Sequence, residues 1–509
     1  MAAGIADRGQ WSSRLGFILA AVGSAVGLGN MWRFSYLTAE HGGAVFVILY
    51  IILLLIIGLP IMLAEFTVGR GAKKSAVQAL VQLGGIKWKP LGYLFVASGF
   101  LILAFYGVIA GWVVRYTWIG LSQGFGGDVG ALFTDVSVGP DAVALQVGFM
   151  LLTTLVVAGG IQGGIEKASV YLMPLLFVIV AGIAVFAATL DGAGAGYSAY
   201  LVPDFEALFD LEIFAAAASQ AFFSLSLGMG AMLTYASYLS KDDDLPLESA
   251  TSAGVDFAVA FIAGLMVFPI IFALGLSAAV GESTVGTLFI SLPGAFAEMG
   301  ATGRLVGILF FVALFVGALT SAISLLEVVV SASIDGLGWT RGKAAIIGGI
   351  AITVLGVPAA LDLNWLTILD EITGKVFLVL GGLMISLFVG WQMKDPVGEV
   401  GRGSKRSAWL PLWRNWLRFG IPIILALILF RTVPSGIQNI RAAVSDLLAP
   451  TEVVDEEVMP EDIPMDAPVF EGAGPIVDDE AEGTLEDADP APAGAGPERG
   501  AEENDSSLE

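Results

Sequence analysis

No cysteine occurs in the 509 residues, so disulfides, thiolate nucleophiles and thiolate metal sites are excluded. Histidine is almost as scarce, with His41 standing alone. A single imidazole leaves no choice of base for a Ser-His-Asp arrangement and no His-rich metal centre. Charge is short as well: Asp, Glu, Lys and Arg make up 14% of the chain, against about 25% in ordinary soluble proteins. Apolar residues take up the difference at 56%, and several apolar runs exceed the ~18 residues that mark a membrane-crossing helix. One of them, from Ala44 to Ala64, carries no charge until Glu65. Residues 1–10 are polar and no cleavage-type run follows, so the first apolar helix is expected to direct insertion itself.

The formal net charge of −23 is unevenly placed. Residues 451–509 hold 20 Asp and Glu against one basic residue, Arg499, so nearly all of the excess lies outside the apolar body. This stretch is rich in Pro, Gly and Ala and poor in aromatics. It cannot bury enough apolar surface to offset ordering entropy, so residues 450–509 are expected to be a disordered, solubilising tail.

Eleven spans are expected, near 15–38, 42–68, 91–123, 142–159, 166–189, 213–238, 248–280, 303–335, 343–360, 371–393 and 410–432. Basic residues cluster in alternate loops: Arg8 and Arg14 before the first span, Arg70, Lys73, Lys74, Lys87 and Lys89 after the second, and Lys394, Arg402, Lys405, Arg406 and Arg414 after the tenth. The loops at 124–141 and 190–212 carry acids and no Lys or Arg. By the positive-inside rule the N-terminus (residues 1–14) is expected in the cytoplasm of a plasma-membrane protein, and an odd number of spans leaves the tail outside.

Two spans look interrupted. The first contains Gly23-Ser24-Ala25-Val26-Gly27-Leu28-Gly29-Asn30, and the sixth contains Phe223-Ser224-Leu225-Ser226-Leu227-Gly228-Met229-Gly230. Glycine costs a helix about 1 kcal/mol relative to alanine, and paired glycines beside hydroxyl and amide side chains invite a break. Within a bilayer, a broken backbone is tolerated only where it lines a protein cavity. A lone Gly-x-Gly is more often close packing of small residues. Paired polar breaks in matching halves of a chain instead point to a transporter site, where helix N-termini receive a carboxylate and freed carbonyls bind cations.

These residues resemble the neurotransmitter:sodium symporter family. The resemblance is carried by Arg14-Leu15-Gly16-Phe17, the 23–30 segment, Trp32-Arg33-Phe34 and Glu40-His41-Gly42-Gly43-Ala44. Ser224–Gly230 with Thr234-Tyr235-Ala236-Ser237-Tyr238, and Leu319-Thr320-Ser321, extend it. Ser35 departs from the pattern, where proline is usual, and a twelfth span is lacking. The resemblance implies an all-α polytopic protein of the leucine-transporter fold, with inverted repeats at 15–190 and 213–393 and an eleventh helix at 410–432. It implies a sodium-coupled symporter, not an enzyme, that imports a neutral, hydrophobic or aromatic amino acid by alternating access, as a monomer or weak dimer with no cofactor beyond two sodium ions and no nucleic-acid partner.

Carried over by position, the substrate carboxylate meets the amides near Ala25 and Gly29 and the hydroxyl of Tyr106, with Ile102, Phe223, Ser224, Ser226, Met229, Ala322 and Leu325 around it. The first sodium lies among Asn30, Ser224, the Ala25 carbonyl and Asp256. The second lies among the Gly23, Val26 and Gly317 carbonyls and the Thr320 and Ser321 hydroxyls. Oxygen-only ligation suits such a hard cation. Arg33 with Asp370 resembles an outer gate; Arg8 with Asp335, near Tyr238, resembles an inner one. Gly164 and Pro174 match a fifth-helix motif whose unwinding accompanies sodium release. Glu65 is expected to brace the broken first helix, and Asp256 to lie about one turn into the seventh span. Chloride-dependent relatives carry asparagine at the Asp256 position and a serine one turn on; here Ala260 follows, so chloride independence is expected. A channel would need repeated filter sequences or charge rings, and neither is present. A transporter-shaped sensor, or a subunit of a larger complex, is the alternative; binding without sodium-dependent flux would mark it.

Overall fold

The computed structural model describes residues 9–203, 205, 210–275, 287–404 and 407–448. The described residues are helical with no strand. Among the described residues, nine helices are long and apolar enough to cross a membrane: α2 (Ala44–Ala72), α3 (Ile86–Ser122), α4 (Pro140–Ala158), α5 (Ile161–Ala187), α7 (Leu245–Ala273), α8 (Gly300–Leu337), α9 (Arg341–Leu361), α10 (Leu363–Gln392) and α11 (Leu410–Leu448). Two interrupted crossings complete the eleven. The first joins α1a (Arg14–Ala25) to α1b (Gly29–Glu40) across a 61° bend, and the other joins α6a (Leu211–Ser224) to α6b (Ala231–Ala236). The arrangement is five helices followed by an inverted five, with α1 and α6 broken and α11 outside the repeat. The expected acidic tail, and the end of the expected seventh span beyond residue 275, lie outside the described residues.

Short polar residues set where several helices begin. Ser13 accepts from the Gly16 amide at 2.9 Å and starts α1a. Asp210, Asp244 and Asp362 do the same for α6a, α7 and α10, each taking up an amide that would otherwise be orphaned in the first turn. α8 and α3 pack against each other, with 78% and 72% of their apolar windows buried, while α11 is only 22% buried and lies at the periphery. Outer faces carry side chains such as Val178, Val185 and Phe430, exposed as lipid contact requires.

One expectation needs correction here. α11 continues to Leu448 instead of ending near 432, because Pro434 is accommodated within the helix, and its extension packs on the start of α10, where Asn439 donates to Glu371 at 2.8 Å. Ser35 leaves no interruption: α1b runs straight through it, the hydroxyl bonding back to the Met31 carbonyl at 3.4 Å.

Candidate functional site

The two breaks meet. α1a ends at Val26, whose backbone turns extended (φ −76°, ψ 106°), so the carbonyls before it lose their helical partners. Side chains of α6 and α8 take up that freed oxygen. Ser226, held in a left-handed conformation (φ 52°) within the second break, donates to the Ser24 carbonyl at 2.7 Å. Ser321 reaches the Ser24 and Gly23 carbonyls at 3.3 and 3.4 Å. One residue before it, Thr320 bonds back to the Val316 and Gly317 carbonyls, both at 3.1 Å. α8 approaches closely because glycines face each other: a Cβ on Gly317 would stand 3.3 Å from the Gly27 Cα. Gly23, Gly317, Thr320 and Ser321 thus converge at the corner where Val26 ends α1a.

A second oxygen cluster lies on the other side of the break. The Asn30 amide nitrogen donates to the Asp256 Oδ1 at 2.7 Å and to the Ser224 hydroxyl at 3.0 Å, and Ser224 donates to the Asp256 Oδ2 at 2.8 Å. The Asn30 Oδ1 accepts from the Gly27 amide at 3.1 Å, which fixes the side-chain orientation. The Tyr50 hydroxyl closes the cluster, 3.1 Å from Ser224 and 3.4 Å from Asp256. Sequence reasoning passed over Tyr50, although it is the one hydroxyl in the 44–64 run and a buried tyrosine hydroxyl needs a partner. Asp256 is fully buried and lies about three turns into α7, not one. Among the described residues no Lys, Arg or His pairs with its carboxylate.

Between the two clusters is a cavity lined by Ala25, Gly29, Ile102, Tyr106, Phe223, Ser226, Met229 and Leu325, together with Ser24, Gly27 and Ser321. Ser224 and Ala322 do not line it: Ser224 turns toward Asp256, and Ala322 is packed inside α8 with no exposure. The Tyr106 hydroxyl enters from α3, accepts from the Leu28 amide at 3.4 Å and stands beside the Ser321 hydroxyl at the edge of the cavity. Gly27 admits it, since a Cβ there would stand 3.0 Å from the Tyr106 oxygen and 2.5 Å from that of Ser321. The cavity is contracted, with about 30 Å³ for the centre of a water molecule.

Comparison with known proteins agrees with this geometry. The model of the "Sodium:neurotransmitter symporter family" matches residues 8–126 and 135–436. The chain belongs to this family. An uncharacterized sodium-dependent transporter of Methanocaldococcus jannaschii is 36% identical, over 83% of this chain and 90% of the relative. One from Haemophilus influenzae is 33% identical over 83% and 97%. Among solved structures, MhsT in complex with L-phenylalanine is similar at 45% identity and a TM-score of 0.77, covering 84% of this chain and 99% of that one. The chain is therefore a multi-span membrane transporter of a sodium-coupled symporter family.

Within this symporter the residues read as gates are placed as follows. Arg33 stacks 5.2 Å above the Phe223 ring and donates to Gln220 at 2.7 Å and Ser219 at 3.2 Å. It forms no ion pair with Asp370 within 4.0 Å, so this pairing is not closed. Arg8 lies outside the described residues. Asp335 accepts from the Ser75 amide at 2.7 Å. Tyr238 donates to Glu327 at 2.6 Å, and Arg341 grips the same carboxylate at 2.7 and 2.9 Å. The stretch from Gly164 to Pro174 is wound: a wide turn over Ile161–Glu166 runs into a continuous helix. Glu65 braces the sixth crossing, not the first, taking the Gly228 amide at 2.8 Å and the Leu233 amide at 3.2 Å. The reason is geometric, since Gly228 is left-handed (φ 76°) and its amide faces away from its own helix.

Proposed function

We propose that this symporter moves a neutral amino acid with an apolar or aromatic side chain into the cell together with two sodium ions, by alternating access. The observation that carries the reading is the Asp256 cluster. A carboxylate without exposure, bonded only to an amide and two hydroxyls, is costly unless a cation joins it. An oxygen-rich surround suits a hard cation, and the described residues contain no group of three His, Cys, Asp or Glu side chains that would favour a transition metal. The corner formed by Gly23, Val26, Gly317, Thr320 and Ser321 offers a second, uncharged oxygen set. The cavity between has an apolar wall, a tyrosine hydroxyl at the α1 break and no fixed charge, which fits a zwitterion with an apolar side chain. The similar MhsT holds L-phenylalanine. Lys and Arg placement supports an orientation with the N-terminus and the Arg14 end of α1a inside and the α11 end outside.

The decisive experiment is uptake of radiolabelled phenylalanine, leucine and alanine into proteoliposomes under an inward sodium gradient. Uptake should require sodium; equal uptake with potassium or choline in its place overturns the proposal, and binding without flux favours the sensor reading.

Tyr106→Phe tests substrate capture. One hydrogen bond to a charged group contributes about 1.5–3 kcal/mol, so affinity for the amino acid should fall roughly ten- to a hundredfold. Scintillation-proximity binding reads this directly, and wild-type affinity would mean that the hydroxyl serves only the Leu28 amide.

A further inference from the structure

Glu248, Ser252 and Asp256 follow one another at four-residue spacing in the unbroken helix α7, so they share one face. All three are buried, with exposures of 1%, 0% and 0%. The stripe starts at the end of the fold where Arg14 pairs with the Glu248 Oε1 at 2.5 Å and ends at the carboxylate read above as a sodium ligand. Two of its oxygens, the Glu248 Oε2 and the Ser252 Oγ, have no hydrogen-bond partner among the described residues. Ser252 could bond back to its own helix, as Ser249 does to the Leu245 carbonyl at 2.9 Å on the same turn, yet it does not. An unpaired buried polar atom is destabilising, and a native fold retains one where it serves water or an ion. Packing alone would be met by alanine at 252.

We propose that this face of α7 is the path by which the sodium ion beside Asp256 reaches the cytoplasm, with the Ser252 hydroxyl and the Glu248 carboxylate as successive way-stations. The proposal rests on the sodium-binding reading of Asp256. Ser252 stands one turn, about 6 Å, from both acids, so an ion leaving Asp256 meets an oxygen at each step instead of bare hydrocarbon. Arg14 holds half of the Glu248 carboxylate and is itself half exposed. When the ion arrives, the free oxygen receives it without breaking that pair. The path is separate from the corner formed by Thr320 and Ser321, which lies on α8.

The test compares equilibrium with rate in the purified full-length protein. Sodium dependence of amino-acid binding is measured first, then sodium release after rapid dilution of ²²Na⁺-loaded protein. Ser252→Ala and Glu248→Gln should leave the sodium concentration for half-maximal binding within about twofold of wild type. Both should slow release roughly tenfold, the factor that one lost ion-facing contact corresponds to. Ser252→Thr, which keeps the hydroxyl, should release at the wild-type rate, and so should Ser249→Ala on the same helix. Ser252→Ala should also melt no lower than wild type, because it removes an unpaired buried oxygen. Unchanged release in both variants overturns the path. A matching loss of equilibrium sodium affinity overturns it too, by making the pair part of the binding site or its support. If wild-type binding shows no sodium dependence at all, the functional reading fails first, independently of the path.

Discussion

Asp256→Asn should abolish sodium-driven uptake in chloride-free buffer while the protein still folds and inserts. The carboxylate is fully buried and its partners Asn30, Ser224 and Tyr50 bring no positive charge. A sodium ion beside it gains about 4 kcal/mol at a separation of about 4 Å and an effective dielectric of about 20, roughly a thousandfold in affinity. The asparagine retains shape and one carbonyl oxygen but loses that term. Two sodium ions in a low-dielectric body need compensating negative charge, and a zwitterionic substrate adds none net. A fixed carboxylate supplies it in every turnover, so the wild type should transport equally well when chloride is replaced by gluconate. Chloride added to Asp256→Asn should restore part of the activity if the anion can take the carboxylate's place. The measurement is initial uptake in proteoliposomes with chloride or gluconate on both sides. A strict chloride requirement in the wild type, or full chloride-indifferent activity in the variant, would place the compensating charge elsewhere. Glu65 is then the next candidate, since it too is buried and bonded only to amides.

The fold is legible in the sequence because the bilayer imposes strict demands on it. Every crossing must be apolar over its length, and any interruption must be supported from within, so α2 through α5 and the glycine-hydroxyl breaks at 23–30 and 223–230 stand out from a charge-poor background. The family resemblance adds the individual positions, and eight of the ten residues it implies around the substrate line one cavity, Ile102, Tyr106 and Leu325 from unbroken helices. Partners contributed by unbroken helices are harder to read. Tyr50 sits in a run that looks like a simple lipid-facing span, and nothing local shows that its hydroxyl points at Asp256. Glu65 illustrates the converse. A mid-membrane acid signals that some buried amides need it, but which broken helix supplies them depends on how α2 is rotated, and that is decided by tertiary packing. Pairings of charges at the ends of spans are the least legible. Arg33 has Gln220, Ser219 and the Phe223 ring within reach, and these satisfy it before Asp370 does. The Tyr238 hydroxyl also reaches Glu327, an acid that sits in an α8 stretch otherwise readable as plain apolar helix.

Replacing Thr320 with Val and Ser321 with Ala together should eliminate coupled flux and leave the fold intact. The two hydroxyls differ in what they do without an ion. Thr320 bonds back to the Val316 and Gly317 carbonyls, a contact that α8 can lose cheaply because those carbonyls already have helical partners. Ser321 reaches across to the Gly23 and Ser24 carbonyls at 3.4 and 3.3 Å, at the long end of hydrogen bonding. Valine is close to threonine in shape, and alanine removes only one atom beyond Cβ, so neither change crowds the Gly27–Gly317 approach. A sodium ion at this corner would lose two of its oxygens. Each contact of a hydroxyl with a full charge is worth about 1.5–3 kcal/mol, so the pair should weaken this ion by roughly two to four decades, beyond any physiological sodium concentration. The Asp256 site shares no ligand with it and should still bind. The variant should therefore keep a sodium-dependent thermal shift from one ion, weaker and less steep than in the wild type, while uptake disappears. Single replacements should fall between, with Ser321→Ala the more severe because its hydroxyl alone links α8 to the α1a carbonyls. Uptake and thermal shift titrated against sodium, with potassium holding ionic strength constant, separate the outcomes. Retained coupled uptake in the double variant would mean that Thr320 and Ser321 serve only to pack α8 against α1, and that one sodium ion drives transport. Loss of the folded protein would give those hydroxyls a structural role larger than their bond lengths account for.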